Sequence, residues 1–121
     1  MNVQSQIAFF SFKLSRAPGH IIDEKGCHVY QGSQRADGYC HITYNNDLGS
    51  RTSISAHRAS LMVQRNSALP KQLQASHLCE NKKCVNAEHL NLESNIINNQ
   101  RKACARENRC LGHGGYPACI F

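Results

Sequence analysis

The chain has 121 residues, with 14 Lys and Arg against 8 Asp and Glu for a net charge of +6, seven cysteines and no tryptophan. That length holds one domain, and Leu, Ile, Val and Phe make up about a fifth of it, close to the level at which apolar burial alone fails to hold a fold. The apolar run 7–14 is too short to span a bilayer and lacks the flanks of a signal peptide, and an odd cysteine count argues against a disulfide framework, so an intracellular, reducing location is expected.

Residues 1–25 read as an N-terminal arm ahead of a domain over 26–121. Within the arm Phe10, Phe12 and Leu14 alternate, which predicts a strand or an irregular packing segment, and Pro18-Gly19 breaks it. Gly26 leads into a short strand-like piece, Cys27-His28-Val29-Tyr30, that ends at Gly32. Residues 39–44 alternate, as do 51–56, and the intervening loop 45–49 makes the pair a hairpin. Ala59, Leu61, Met62 and Val63 suit a short helix to about Asn66, and Pro70 bars a long continuation. Residues 72–78 are expected to be extended. Ser94 has the character of an N-cap for a helix over 95–102 with Ile97 turned inward, and beyond Cys104 the glycines and proline predict no regular element.

The most informative stretch is 77–98. Cys79, Cys84 and His89 form a C-x4-C-x4-H run, close to the spacing of structural zinc sites, in which thiolates and an imidazole close a tetrahedron. A closed site needs four ligands, so one must come from elsewhere in the chain; His77, two residues before Cys79, is one option. Cys104, Cys110, His113 and Cys119 fall within 16 residues and read as a second structural zinc site. The first zinc loop then spans 78–92 and the second 104–119. Bound zinc contributes on the order of 10 kcal/mol to folding, which offsets a thin core.

Charge is unevenly placed. No acidic residue lies between Asp47 and Glu80, while Arg51, Arg58, Arg65 and Lys71 all fall in that gap, and Arg101, Lys102, Arg106 and Arg109 meet only Glu107. Such a field attracts polyanions, nucleic acid first among them, with Arg65 and Lys71 as candidate DNA contacts. Arg35 and His41, on or just before the hairpin, are candidate groove contacts, because a two-stranded ribbon fits the major groove.

The run SHLCENKKCVNAEHL (76–90), followed by an asparagine-bearing helix, resembles the His-Cys box homing endonucleases and the related zinc-loop HNH endonucleases of the His-Me finger (ββα-metal) class. Gly26-Cys27, Gln31-Gly32, Asp37-Gly38-Tyr39 and Ala56-His57-Arg58 are similar to the N-terminal half of those HNH domains, so the likeness runs from Gly26 to Cys119. The resemblance implies a small α+β domain with an antiparallel hairpin and two structural zinc sites. It implies Cys27 as the fourth ligand of the first site, with Cys40 as the next choice and otherwise a spare thiol.

It further implies His77 as the residue that activates water and Asn98 as the one that binds a catalytic Mg²⁺-type ion. An arginine, Arg51 or Arg58, would contact the scissile phosphate. The chemistry fits these residue types: an imidazole titrates near neutral pH, and a neutral amide oxygen holds Mg²⁺ while leaving its other positions open. The implied function is a metal-dependent DNA endonuclease, in the homing context, acting on double-stranded DNA, with a homodimer as one arrangement and the nucleus as the location in a eukaryotic host. Two readings compete: a zinc-stabilised nucleic-acid-binding module without catalysis, and a zinc-stabilised protein-interaction module, which the basic stretch disfavours. In either, His77 is a packed histidine and Asn98 an ordinary helix-surface residue.

Overall fold

Alternating residues at 41–45 and 51–55 pair as an antiparallel hairpin in the computed structural model, which describes residues 2–15 and 20–120. Strands β3 (His41–Asn45) and β4 (Arg51–Ser55) run in register from His41 opposite Ser55 to Asn45 opposite Arg51. The Asn46 side chain closes the tip by accepting from the amides of Leu48 and Ser50 at 3.0 and 2.9 Å. Helix α2 (Ala56–Arg65) follows β4 directly and ends in left-handed Asn66.

The N-terminal segment is helix α1 (Val3–Ser15), not the strand or irregular arm that the alternation of Phe10, Phe12 and Leu14 predicts. The 3.6-residue period prevails because Ile7, Phe10 and Leu14 fall on one face. Ile7 and Phe10 are buried against Ile42, Ala56, Ala59 and Met62, with Leu14 packed beside them. Phe12, which the period-2 reading aligns with Phe10, is 55% exposed. Asn2 caps the helix, accepting from the Ser5 amide at 2.8 Å. Pro18-Gly19 lies outside the described residues.

Strand β1 (His20–Ile22) pairs antiparallel with β2 (His28–Tyr30). The turn between them depends on Gly26, at φ +82°, and on Asp23, whose carboxylate accepts from the Lys25 and Cys27 amides at 2.9 Å each. On its other side β2 meets the zinc loop, with the Tyr30 amide donating to Lys83 O and the Val85 amide to His28 O. This brings Cys27 beside Cys84 although 57 positions separate them.

Strand β5 (Gln74–His77) matches the expected extended segment and pairs antiparallel with β6 (Leu90–Glu93), from Gln74 opposite Glu93 to His77 opposite Leu90. A short 3-10 turn, Ala87–His89, precedes β6. Ser94 caps helix α3 (Asn95–Glu107), its hydroxyl accepting from the Ile97 amide. The helix runs five residues past Lys102 to a left-handed Asn108, so Cys104 is helical rather than part of an irregular tail. The product is a small α+β fold of three helices and three two-stranded ribbons among the described residues. Leu61, Ala75 and Leu90 form a second apolar cluster that joins α2 to the β5–β6 ribbon.

Candidate metal centres and active site

The sulfur atoms of Cys27, Cys79 and Cys84 and a ring nitrogen of His89 all lie within 4.8 Å of one another. Nδ1 of His89 is 3.6 Å from Cys27 Sγ and 3.7 Å from Cys84 Sγ. A tetrahedron with Zn–S of 2.3 Å and Zn–N of 2.1 Å has an S···N edge of about 3.6 Å, so the donor set fits zinc in both chemistry and size. Its hydrogen bond with Cys79, and backbone bonds from Asn86 and His28, pull the Cys84 thiol below its ordinary value against the opposing effect of burial. This favours the thiolate, the form a metal binds. Cys40 is buried but belongs to neither cluster.

Cys104, Cys110, His113 and Cys119 form the second cluster within the same limit. His113 Nε2 lies 3.4 Å from Cys104 Sγ and 3.3 Å from Cys119 Sγ, and its Nδ1 is 3.2 Å from Gln100 Oε1. Donation to Gln100 fixes the tautomer that leaves Nε2 free to ligate. This otherwise irregular segment is tied to the fold by Arg101, which is 1% exposed. Its guanidinium forms a two-armed ion pair with buried Glu93 and also donates to Pro117 O at 2.9 Å and Cys119 Sγ at 3.3 Å. Burial alone would raise the Glu93 carboxyl; hydrogen bonds from Arg101 and Asn91 outweigh it and hold it below the usual carboxylate range.

Between the hairpin, the zinc loop and α3 lies an open cleft of about 570 Å³ that holds both His77 and Asn98. His77 is 7% exposed. Its Nε2 is 2.9 Å from Cys84 O, so this nitrogen carries the proton and Nδ1 keeps a free lone pair. The zinc loop thus orients the imidazole through a ligand's own carbonyl. Burial pushes the His77 pKa below its ordinary value, which keeps the ring neutral at pH 7, the form that can accept a proton. The ring stacks on Tyr39 and packs against His57, whose centroid is 4.3 Å away. Burial, then the neighbouring His77, drives His57 to about 3.

Asn98 sits on α3 across from His77, its Nδ2 donating to Gln74 Oε1 at 2.6 Å. Its Oδ1 accepts no hydrogen bond among the described residues, so an amide oxygen is available for a hard cation. Arg35, Arg58, Lys82 and Lys102 line the cleft against Asp37 and Glu80, giving it a surplus of positive charge.

Of the arginines expected at the phosphate, Arg58 lines the cleft, but its guanidinium is engaged by Leu73 O and Pro70 O at 2.7 Å each. Arg51 is exposed at the tip end of the hairpin, opposite Asn45, and does not line the cleft. Arg35, expected as a groove contact, does line it, anchored on Ser53 Oγ at 3.1 Å. His41 is half-buried on β3, and Arg65 and Lys71 are exposed outside the cleft. Sequence reasoning counted Lys102 only as one of a basic group and did not place it in the cleft, one helical turn beyond Asn98, although its i+4 spacing was the available signal. It passed over Lys82, whose ammonium lies 5.1 Å from the Tyr39 ring centroid and donates to Asp37 O at 2.9 Å. Nothing in the sequence marked that contact.

Two cysteine-histidine clusters, one in a loop that orients a buried histidine, define a zinc-stabilised His-Me finger domain of the nuclease type. The chain belongs to the family described as the zinc-binding loop region of homing endonuclease, whose model matches residues 26–118 and so takes in the first cluster, His77, Asn98 and all of the second cluster but Cys119. No curated protein and no solved structure matches it. Among the described residues no helix is long and apolar enough to cross a membrane.

Proposed function

We propose that the domain hydrolyses phosphodiester bonds of double-stranded DNA, with His77 as general base and Asn98 as protein ligand of a Mg²⁺-type ion. One observation carries this reading: a neutral imidazole with a free Nδ1 and an amide with a free oxygen share a cleft rimmed by cations. Zinc cannot serve as the catalytic ion, because four protein ligands close each zinc site. His77 takes the proton of an attacking water at Nδ1, and its Nε2–H bond to Cys84 O stabilises the imidazolium that results. A hard divalent cation bound at Asn98 would stabilise charge on the phosphate and the leaving oxygen. Arg35 is the cation proposed against the scissile phosphate, ahead of Arg51 and Arg58, with Lys102 and Lys82 attracting the strand. Family membership supports the homing reading; a defined target site, a homodimer as one arrangement and the nucleus of a eukaryotic host are proposed along with it.

The test is nicking of supercoiled plasmid in Mg²⁺, with EDTA as control. Wild-type protein is expected to nick, and His77→Ala to lose about 10²–10⁴-fold in rate while retaining zinc content and DNA affinity. Metal-independent silence on every duplex would leave the non-catalytic binding module as the reading. Wild-type rates from His77→Ala would move the base elsewhere, with His57 the next residue to replace.

A further inference from the structure

A side-chain amide has two ends of nearly equal shape and opposite function. A cation binds only the oxygen, so the value of Asn98 as a ligand depends on which end it presents. Rotation by half a turn about the last bond exchanges the ends, and a helix-surface asparagine has no intrinsic preference between them. We propose that Gln74 is a positioning residue that sets the orientation of the Asn98 amide and so offers its oxygen to the metal. The inference rests on the reading of Asn98 as the metal ligand.

Three features support it. Gln74 Oε1 is 2.6 Å from Asn98 Nδ2, which turns the amino end of Asn98 toward β5 and frees Oδ1. Gln74 begins the strand that ends in His77, so one four-residue strand sets both the base and the orientation of the metal-holding amide. Gln74 also lies directly opposite Glu93 in the ribbon, and Glu93 holds Arg101. One rung of the β5–β6 ribbon therefore grips α3 at two points three residues apart, which face the same side of a helix. The two grips differ in kind. Glu93 and Arg101 are each 1% exposed and form part of the core, whereas Gln74 is exposed at the cleft, where a hydrogen bond between amides adds little to stability. Its consequence is orientation.

The experiment is a double-mutant cycle on the zinc-loaded protein, read by Mn²⁺ binding in electron paramagnetic resonance and by the Mg²⁺ concentration for half-maximal nicking. Gln74→Met keeps the side-chain length and removes the acceptor. It is expected to weaken Mn²⁺ binding about 10-fold, as loss of a partner behind a metal ligand does, with zinc content and melting temperature unchanged. In an Asn98→Ala background the same replacement is expected to change nothing. Gln74→Glu, an acceptor with no amide to flip, is expected to retain Mn²⁺ affinity at least at the wild-type level in the Asn98 background alone. If Asn98→Ala binds Mn²⁺ as wild type does, the reading of Asn98 fails and the inference with it. If Asn98→Ala weakens binding but Gln74→Met does not, only the role of Gln74 is overturned. Equal weakening by Gln74→Met in both backgrounds also overturns it, because Gln74 would then act without Asn98.

Discussion

Replacing Glu93 with glutamine keeps the shape of the side chain and removes one charge from a fully buried pair. Arg101 would then keep its cation in a site where both partners are 1% exposed, hydrogen-bonded to the neutral Gln Oε1, Pro117 O and Cys119 Sγ and without the carboxylate that had faced it. Breaking a buried pair from one side costs about 3–5 kcal/mol, because the remaining charge is uncompensated. A domain of this size has a total stability of about 5–15 kcal/mol, so the loss is a large fraction of the whole. With an unfolding entropy of about 2.1 cal/mol/K per residue, each kcal/mol moves the midpoint by about 4 °C, and Glu93→Gln is expected to melt about 12–20 °C lower. The assay is thermal unfolding at fixed free zinc, since metal bound only by the folded state shifts the midpoint. Glu93→Leu combined with Arg101→Leu removes both charges and is expected to recover much of the loss. A Glu93→Gln protein within 1 kcal/mol of wild type would refute the reasoning, as would a double variant no better than the single one.

Phe10→Ala is expected to cost about 3–5 kcal/mol in chemical denaturation, because Phe10 is 0% exposed between Ile42, Ala59 and Tyr44; a surface-like loss below 1 kcal/mol would remove α1 from the core. Elemental analysis is expected to find two zinc ions per chain, one fewer in Cys84→Ser and no fewer in Cys40→Ser. A Cys40→Ser protein depleted in metal would overturn the ligand assignment. His57 has a folded-state pKa of about 3 against an ordinary 6.5, so below pH 6.5 the unfolded chain takes up a proton that the folded chain refuses. Its contribution is fully present above pH 6.5 and falls as the solution is acidified, by about 2 kcal/mol at pH 5. His57→Gln is expected to have a correspondingly flatter pH dependence of stability, and parallel curves for variant and wild type would sink the assignment.

The metal-ligand spacing within 79–89 and 104–119, the hairpin and the N-cap of α3 were legible because each carries a local chemical signature, whereas Cys27 came only through the resemblance. Metal spacing requires only nearby residues, and alternation over five positions has few other meanings. Helix α1 was misread because Phe9, Phe10 and Phe12 make its apolar residues nearly contiguous, so both periods fit, and the choice rested on a partner surface from α2 and β3. The end of α3 was missed because left-handed Asn108, not glycine, terminates it, and because the ligand at Cys104 drew that residue into the loop reading. Strand β6 is four residues long and exists through its pairing with β5, which no local pattern specifies. The engagement of Arg58 by two carbonyls and the placement of Arg35 in the cleft depend on contacts across 12 to 18 positions. Such distances are invisible to spacing arguments.

Asn98, Arg101 and Cys104 follow one another at intervals of three along α3, and this makes the helix an indexed part. Inserting one residue between Asn98 and Arg101 would turn Asn98 by about 100° and shift it about 1.5 Å along the axis, while Cys104 stayed fixed in its cluster. The chain would remain metal-loaded and folded, with its amide pointing away from the cleft. The hairpin tip is the opposite case: Leu48 is 85% exposed there, and a Cβ added at Gly49 meets nothing within 4 Å. Length variation in related sequences should therefore accumulate at the tip, changing how far the ribbon projects from the domain. The segment from Asn98 to Cys104 should keep its residue count even where its other side chains change.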